Sequence, residues 1–189
     1  AKLPRDSPAN PYRDSRFNNK QYKIKRVRMA DTREEKDTMG KYFGTDGFRG
    51  EANVVLTAEH AFHVGRYLGW YYGQKHDDHR ARIVIGKDTR RSGYMLEEAL
   101  CAGITSSGSD AYLLHVTTTP SVSYCCRTDG FDCGIMISAS HNPFYDNGIK
   151  IMRANGQKIE PEIEEKIEAY MDSETDEIPY ALRDAIGRT

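Results

Sequence analysis

Short apolar runs that read as strands alternate along this chain with stretches whose apolar residues recur at helical spacing, and that alternation leaves few folds open. Thr57 is a good cap for "AEHAFHVGRYLGWYYGQ", in which Ala61, Val64, Leu68 and Tyr71 share a face. "RIVIG", Arg82 to Gly86, is a short β-branched strand, and Ser92 opens a helix with Met95, Leu96, Ala99, Leu100 and Ile104 on its apolar face. "AYLLHV", Ala111 to Val116, reads as the next strand, followed by Thr119 as a cap with Pro120 at the first helical position. A strand from Cys133 to Ser138, a second from Gly148, and a helix from Pro161 to Met171 with Ile163, Ile167 and Tyr170 on one face complete the order. The pattern predicts an α/β fold, a three-layer α/β/α arrangement around a mixed, mostly parallel sheet, with the strand at Gly148 antiparallel to one side. Its expected span is residues 39–172, with 173–189 a linker.

Residues 1–38 differ in kind. They hold three prolines and eleven Lys/Arg against six Asp/Glu, leaving sixteen against twenty-two for residues 39–189. Without a sustained apolar period this stretch is expected to be a basic, disordered extension. It lacks the interleaved aromatics and the module that nucleic-acid binding would need, so no nucleic-acid partner is expected. Met39 is followed at once by the organised part and reads as a natural start. Cys101, Cys125, Cys126 and Cys133 form no CxxC pair, which argues against zinc and against a disulfide scaffold. No run approaches the roughly 18 apolar residues of a membrane span, and the N-terminus has no signal-peptide core. No membrane partner and a cytoplasmic location are expected.

Three loops carry the chemistry: "FGTDGFRG" from Phe43, "IGKDTRRSG" from Ile85 and "ISASHNPFYDNGIK" from Ile137. Each alone has a plain reading. The glycines permit tight turns, Asp88 and Arg90 make a surface ion pair, and "DNG" is a turn. The third loop, however, leaves a strand through Ser140, His141 and Asn142, beyond the carboxyl end of the sheet where open α/β folds bind ligands. A Ser-His hydrolase does not suit it: neighbouring side chains are expected to point apart, and there is no G-x-S-x-G elbow. Phosphoryl transfer suits it better. Ser140 offers a hydroxyl, Lys150 and Arg49 offset charge, and His141 and Asn142 orient the group.

In this order and at these distances the three loops resemble the first domain of the α-D-phosphohexomutase superfamily, nearest to its bacterial phosphoglucosamine mutase branch, over residues 39–189. The resemblance implies that Ser140 is phosphorylated in the resting enzyme and that its phosphate oxygen is a ligand of an essential Mg²⁺. It implies that His141 and Lys150 flank the phosphoserine, handling charge and protons, and that Arg49 of the D-G-x-R-G pattern stands at the active site. Asn142 and Arg90 are assigned to substrate binding. The implied reaction is an isomerase's: glucosamine 6-phosphate to glucosamine 1-phosphate through a 1,6-bisphosphate, toward UDP-N-acetylglucosamine and the cell wall.

The family has four domains. The second carries an aspartate-rich D-G-D-x-D-R loop that this chain lacks, as it lacks the sugar-reading and phosphate-binding loops of the third and fourth. The chain is therefore expected to be the first domain only, inactive alone, with the remaining domains as partners. A phosphomannomutase or phosphoglucomutase is the alternative within the superfamily, and a non-catalytic phospho-ligand module the alternative outside it. Strand alternation places Ile135 and Ile137 on one face and Met136 and Ser138 on the other, so Ser138 is expected to be a buried part of the sheet and Ser140 to lie beyond it.

Overall fold

The computed structural model describes residues 40–189, and the extension expected over residues 1–38 lies outside them. The described chain begins with a hairpin, β1 (Phe43–Gly44) and β2 (Gly47–Glu51), and continues with α1 (Ala58–Gly73), β3 (Arg82–Lys87) and α2 (Gly93–Ser106). There follow β4 (Asp110–Val116), α3 (Thr119–Thr128), β5 (Cys133–Ile137), β6 (Asp146–Arg153) and α4 (Pro161–Met171), then a single 3₁₀ turn, Arg183–Ala185.

Local chemistry accounts for most of these boundaries. At the start of α1 the Thr57 hydroxyl accepts from His60 N–H while His60 Nδ1 accepts from Thr57 N–H, a reciprocal cap that satisfies two orphan donors. Pro161 opens α4 where a missing N–H costs nothing. At α3 the cap is one residue earlier than expected: Thr118, not Thr119, accepts from Ser121 N–H, which puts Thr119 inside the helix.

The six strands form one sheet in the order β1-β2-β6-β5-β3-β4. It is mixed, but less parallel than expected. Pairs β3–β4 and β3–β5 are parallel, whereas β1–β2, β2–β6 and β5–β6 are antiparallel. The difference arises because "FGTDGFRG", read as a loop, is itself a hairpin that extends the sheet beyond β6. Gly47 makes its turn possible: φ is +91°, and a Cβ there would stand 2.4 Å from the Ile149 carbonyl oxygen.

Period-2 alternation sorts the strand side chains into two cores. On one face Ile83, Ile85, Ile135, Ile137, Ile149 and Ile151 pack with residues of α1, α2 and α4, among them Leu68, Leu100 and Ile167. Each such side chain, fully buried, contributes about 1.5–3 kcal/mol. On the other face Val84, Met136 and Met152 meet Val122 and Cys126 of α3, with Phe131. The layers are thus helix, sheet, helix, with the second cover much the thinner.

Residues 173–189, expected as a linker, lie along α1 and α2. Ile178 is buried, Ala181 N–H donates to Ser106 O, Gly187 N–H to Thr105 O, and Ala111 N–H to Arg188 O. Arg66, wholly buried on α1, holds this segment through Asp176 at 2.9 Å and through the Ile178 carbonyl, with its guanidinium 3.7 Å from the Tyr180 ring centroid. Paired and stacked in this way, a buried guanidinium is tolerated where a lone one would not be.

Candidate active site

Beyond the last residue of β5 the chain turns sharply through Ser138, Ala139 and Ser140. Ser140 has φ +55°, the left-handed region that a non-glycine residue adopts only where its surroundings hold it. Those surroundings can be traced atom by atom. Ser140 N–H donates to Ser138 Oγ at 3.0 Å, and Ser138 Oγ donates to Asp88 Oδ2 at 2.7 Å. Asn142 N–H donates to Ala139 O, and the Asn142 amide donates to Asp146 Oδ2 at 3.0 Å. Asn147, fully buried, donates to Ser92 Oγ at 2.9 Å and accepts from Gly148 N–H at 2.8 Å.

Arg90 does the most in this scaffold. Its Nε donates to Asp88 at 3.0 Å. Nη1 donates to the carbonyls of Pro143 at 2.5 Å and Asp146 at 3.0 Å, and Nη2 to those of Ser140 at 2.8 Å and Asn142 at 3.0 Å. A guanidinium has five N–H donors, and all five are engaged. Arg90 is therefore no free donor for a substrate: it is the internal brace of the serine loop. Asn142, likewise assigned to substrate, spends its amide on Asp146. Neither residue lines the pocket that Ser140 faces.

That pocket, about 220 Å³, is lined by Asp46, Arg49, Thr119, Met136, Ser138, Ser140, His141 and Lys150. It sits on the α3 face of the sheet at the carboxyl end of β5. Ser140 and His141 are exposed, and Arg49 and Lys150 half-buried. The four residues expected to carry the chemistry are brought together from β2, the loop and β6. The β2–β6 pairing sets Arg49 opposite Gly148, where the absence of a side chain matters: a Cβ on Gly148 would stand 2.8 Å from Arg49 Cγ and 2.7 Å from Ser138 O.

Two expectations need correction. Ser138 is not buried in the sheet; it is half-buried just past the strand end, lines the pocket and orients the loop. Ser140 and His141 do not point apart, because the left-handed turn brings Ser140 Oγ within 3.5 Å of His141 Nδ1. At that length the contact is a weak hydrogen bond, and it makes no Ser-His-acid relay.

Sequence reasoning missed Asp46. Its carboxylate stands 3.3 Å from Arg49 Nη1 and 4.0 Å from Lys150 Nζ, so the pocket's cations share one counter-charge and leave an excess of positive charge. Arg49 Nε is buried without a partner among the described residues. The acid three residues before the arginine in "FGTDGFRG" was the available signal. Thr119 was also missed, having been taken as a cap. As the first residue of α3 it brings that helix's N-terminal end to the rim, where the helix dipole favours an anion. A pocket with a hydroxyl, two cations and a helix N-terminus can hold a phosphoryl group. As a complete Mg²⁺ site it does not fit, since the one carboxylate lining it is committed to two cations and a magnesium ion prefers six oxygens.

Comparison with known proteins places these features in context. Residues 40–177 match the family described as phosphoglucomutase/phosphomannomutase, alpha/beta/alpha domain I. A phosphoglucosamine mutase of Lachnospira eligens is 70% identical over 151 residues, which is 80% of this chain and 34% of that protein. Phosphoglucosamine mutases of Lachnoclostridium phytofermentans and Streptococcus pneumoniae are 66% and 50% identical, over 80% and 79% of this chain and 33% of each relative. Among solved structures, a candidate phosphomannomutase from Thermus thermophilus superposes with a TM-score of 0.63 at 28% identity, covering 78% of this chain and 32% of that one. The chain spans about a third of the length of the curated relatives it matches.

Proposed function

We propose, on the premise that this chain belongs to the phosphoglucomutase/phosphomannomutase family through its α/β/α domain I, that it is the phosphoserine-bearing domain of a phosphoglucosamine mutase. The proposed reaction interconverts glucosamine 6-phosphate and glucosamine 1-phosphate through a 1,6-bisphosphate, in the cytoplasm, toward UDP-N-acetylglucosamine and cell-wall precursors. The observation that carries the reading is the braced loop, which presents the Ser140 hydroxyl to a pocket shared with Arg49, Lys150 and His141.

In this reading Ser140 Oγ carries the phosphoryl group. When a substrate hydroxyl attacks phosphorus, the P–Oγ bond breaks, the hydroxyl gives up its proton and Oγ must gain one, so the step balances by net transfer of that proton to Oγ; His141 Nδ1, 3.5 Å from Oγ, stands where it can pass the proton on. Arg49 and Lys150 offset the charge on the phosphoryl oxygens, and Asp46 holds the two cations in place when no phosphate is present. The family implies a metal cofactor, which we read as Mg²⁺; when bound it neutralises charge on the transferring group. From this domain only a phosphate oxygen on Ser140 would reach it. Asn142 and Arg90 act by shaping the loop rather than by touching sugar.

A phosphomannomutase reading draws on the Thermus thermophilus neighbour, but at 28% identity against 50–70% for the phosphoglucosamine mutases it carries less weight. The test is a coupled assay on full-length enzyme containing this domain. Glucosamine 6-phosphate should be preferred in kcat/KM over mannose and glucose 6-phosphates, and Ser140→Ala should lower turnover by at least about 10³-fold. Preference for another hexose would overturn the substrate, and near-normal turnover by Ser140→Ala would overturn the site.

A further inference from the structure

Among the described residues one cluster of metal-ligating side chains stands apart from the serine pocket. It lies in the loop between α1 and β3, where the sequence reads His76-Asp77-Asp78-His79. One ligand atom each from His76, Asp78 and His79 can be taken so that all lie within 4.8 Å of one another. The two imidazole centroids are 4.1 Å apart, and His79 Nδ1 is 2.7 Å from Asp78 Oδ1. A tetrahedral ion about 2.0–2.2 Å from each donor would hold them roughly 3.3–3.6 Å apart, so the Asp78–His79 pair has to open and the wider pairs to close by about 1 Å.

Asp132, just before β5, is the second observation. Its Oδ1 lies 2.7 Å from His76 Nε2, while its Oδ2 accepts the Arg82 N–H at 2.9 Å. Both side chains of this contact are largely covered, at 22% and 19% exposure. A carboxylate fixed by the backbone of β3 and aimed at one ring nitrogen selects the tautomer: Nε2–H donates to Asp132, and Nδ1 keeps its lone pair for a metal. Histidine ligands are ordinarily backed in this way, whereas a histidine that is merely solvated needs no such partner.

The geometry points to a divalent transition-metal site of two imidazoles and one carboxylate, His76, His79 and Asp78, with Asp132 as the positioning residue behind His76. Two nitrogens and one oxygen suit Zn²⁺ and its neighbours in the first transition row rather than magnesium. Three protein ligands leave a fourth position open. Asp78 and His79 are exposed, so water can reach that position from solvent. The site is independent of the phosphoryl chemistry proposed above. A bound ion would tie the loop after α1, through His76 and Asp132, to the start of β5 and so stabilise the fold.

The experiment uses the 189-residue chain, stripped of metal by chelator dialysis, titrated with Zn²⁺ by calorimetry and with Co²⁺ by visible absorption. One equivalent of Zn²⁺ should bind with a Kd of about 10 μM or tighter, with proton release and a rise in melting temperature. Co²⁺ should give the strong visible band of a four-coordinate site. His79→Ala, a half-exposed loop position, should weaken binding at least about 10-fold, and Asp132→Asn, which keeps an acceptor for Arg82, by about 10–100-fold. His63→Ala should leave it unchanged. Zn²⁺ binding weaker than about 1 mM, or binding indifferent to His79→Ala, would overturn the assignment.

Discussion

Replacing Arg90 by alanine should disable the serine loop while leaving the sheet folded. The substitution removes four bonds to loop carbonyls and one to Asp88. A bond from a charged donor contributes about 1.5–3 kcal/mol where both ends are shielded, and about 1 kcal/mol or less where water replaces it. The bonds to Asp146 and Asn142 are partly buried and those to Pro143 and Ser140 exposed, so the expected cost is about 3 kcal/mol rather than the sum of four full bonds. A plain surface ion pair with Asp88 would cost about 0–1 kcal/mol. Urea unfolding gives the total, and hydrogen exchange locates it: amides of Ser140, Asn142 and Asp146 should lose protection, while those of β3 and β5 keep theirs. Arg90→Lys should restore little, because an ammonium cannot reach four carbonyls in one plane. A loss below about 0.5 kcal/mol with unchanged exchange in the loop would refute the bracing role.

Three further outcomes follow from the same contacts. Gly148→Ala should cost about 1–3 kcal/mol in urea unfolding and displace Arg49, since its Cβ would press on Ser138 O and Arg49 Cγ; a neutral effect would show that the β2–β6 approach is looser than described. Asp176 is pushed up by its burial, but hydrogen bonds from Tyr170, Arg66 and Tyr180 outweigh this and hold its carboxyl below the usual range. Its stabilisation of the 176–188 segment is therefore full above the ordinary aspartate value of about 3.9 and lost as pH falls through the folded value beneath it. The Ile178 methyl resonance should report that release in NMR, with Asp176→Asn removing the dependence; release above about pH 5 would contradict it. Burial pushes the Cys126 thiol up to about 11 and the Cys133 thiol well above its usual range, so a thiol reagent should label neither until urea unfolds the domain, whereas native-rate labelling of Cys133 would contradict its placement.

What was legible in the sequence was local. The Thr57 cap, the Pro161 helix start, and the apolar faces of α2 and α4 each depend on residues within about two turns of one another. The strand Cys133–Ile137 and the loop after it were legible for the same reason, as was the gathering of Arg49, Ser140 and Lys150 once the loops were read together. What was not legible depended on distant partners. Arg90 looked like half of a surface pair because Asp88 is two residues away, while the carbonyls it braces lie 50 to 56 residues on. The β1–β2 hairpin escaped notice because its first strand is two residues long and has no alternation to display. The docking of residues 173–189 rests on Arg66, 110 residues from its Asp176 partner, and a lone arginine on a helix gives no hint of being wholly buried.

The central claim is that Ser140, and not its neighbour Ser138, carries the phosphoryl group. Ser138 Oγ is already committed, donating to Asp88 and accepting from Ser140 N–H, and a phosphate of about −1.5 to −2 charge placed there would face the Asp88 carboxylate. Peptide mass spectrometry on full-length enzyme containing this domain tests this most directly. The account predicts one phosphate, on Ser140, which exchanges with the phosphate of added glucosamine 6-phosphate and which a 1,6-bisphosphate installs on the unphosphorylated enzyme. A phosphate on Ser138 or Thr119, or an active enzyme that is never phosphorylated on Ser140, would contradict it.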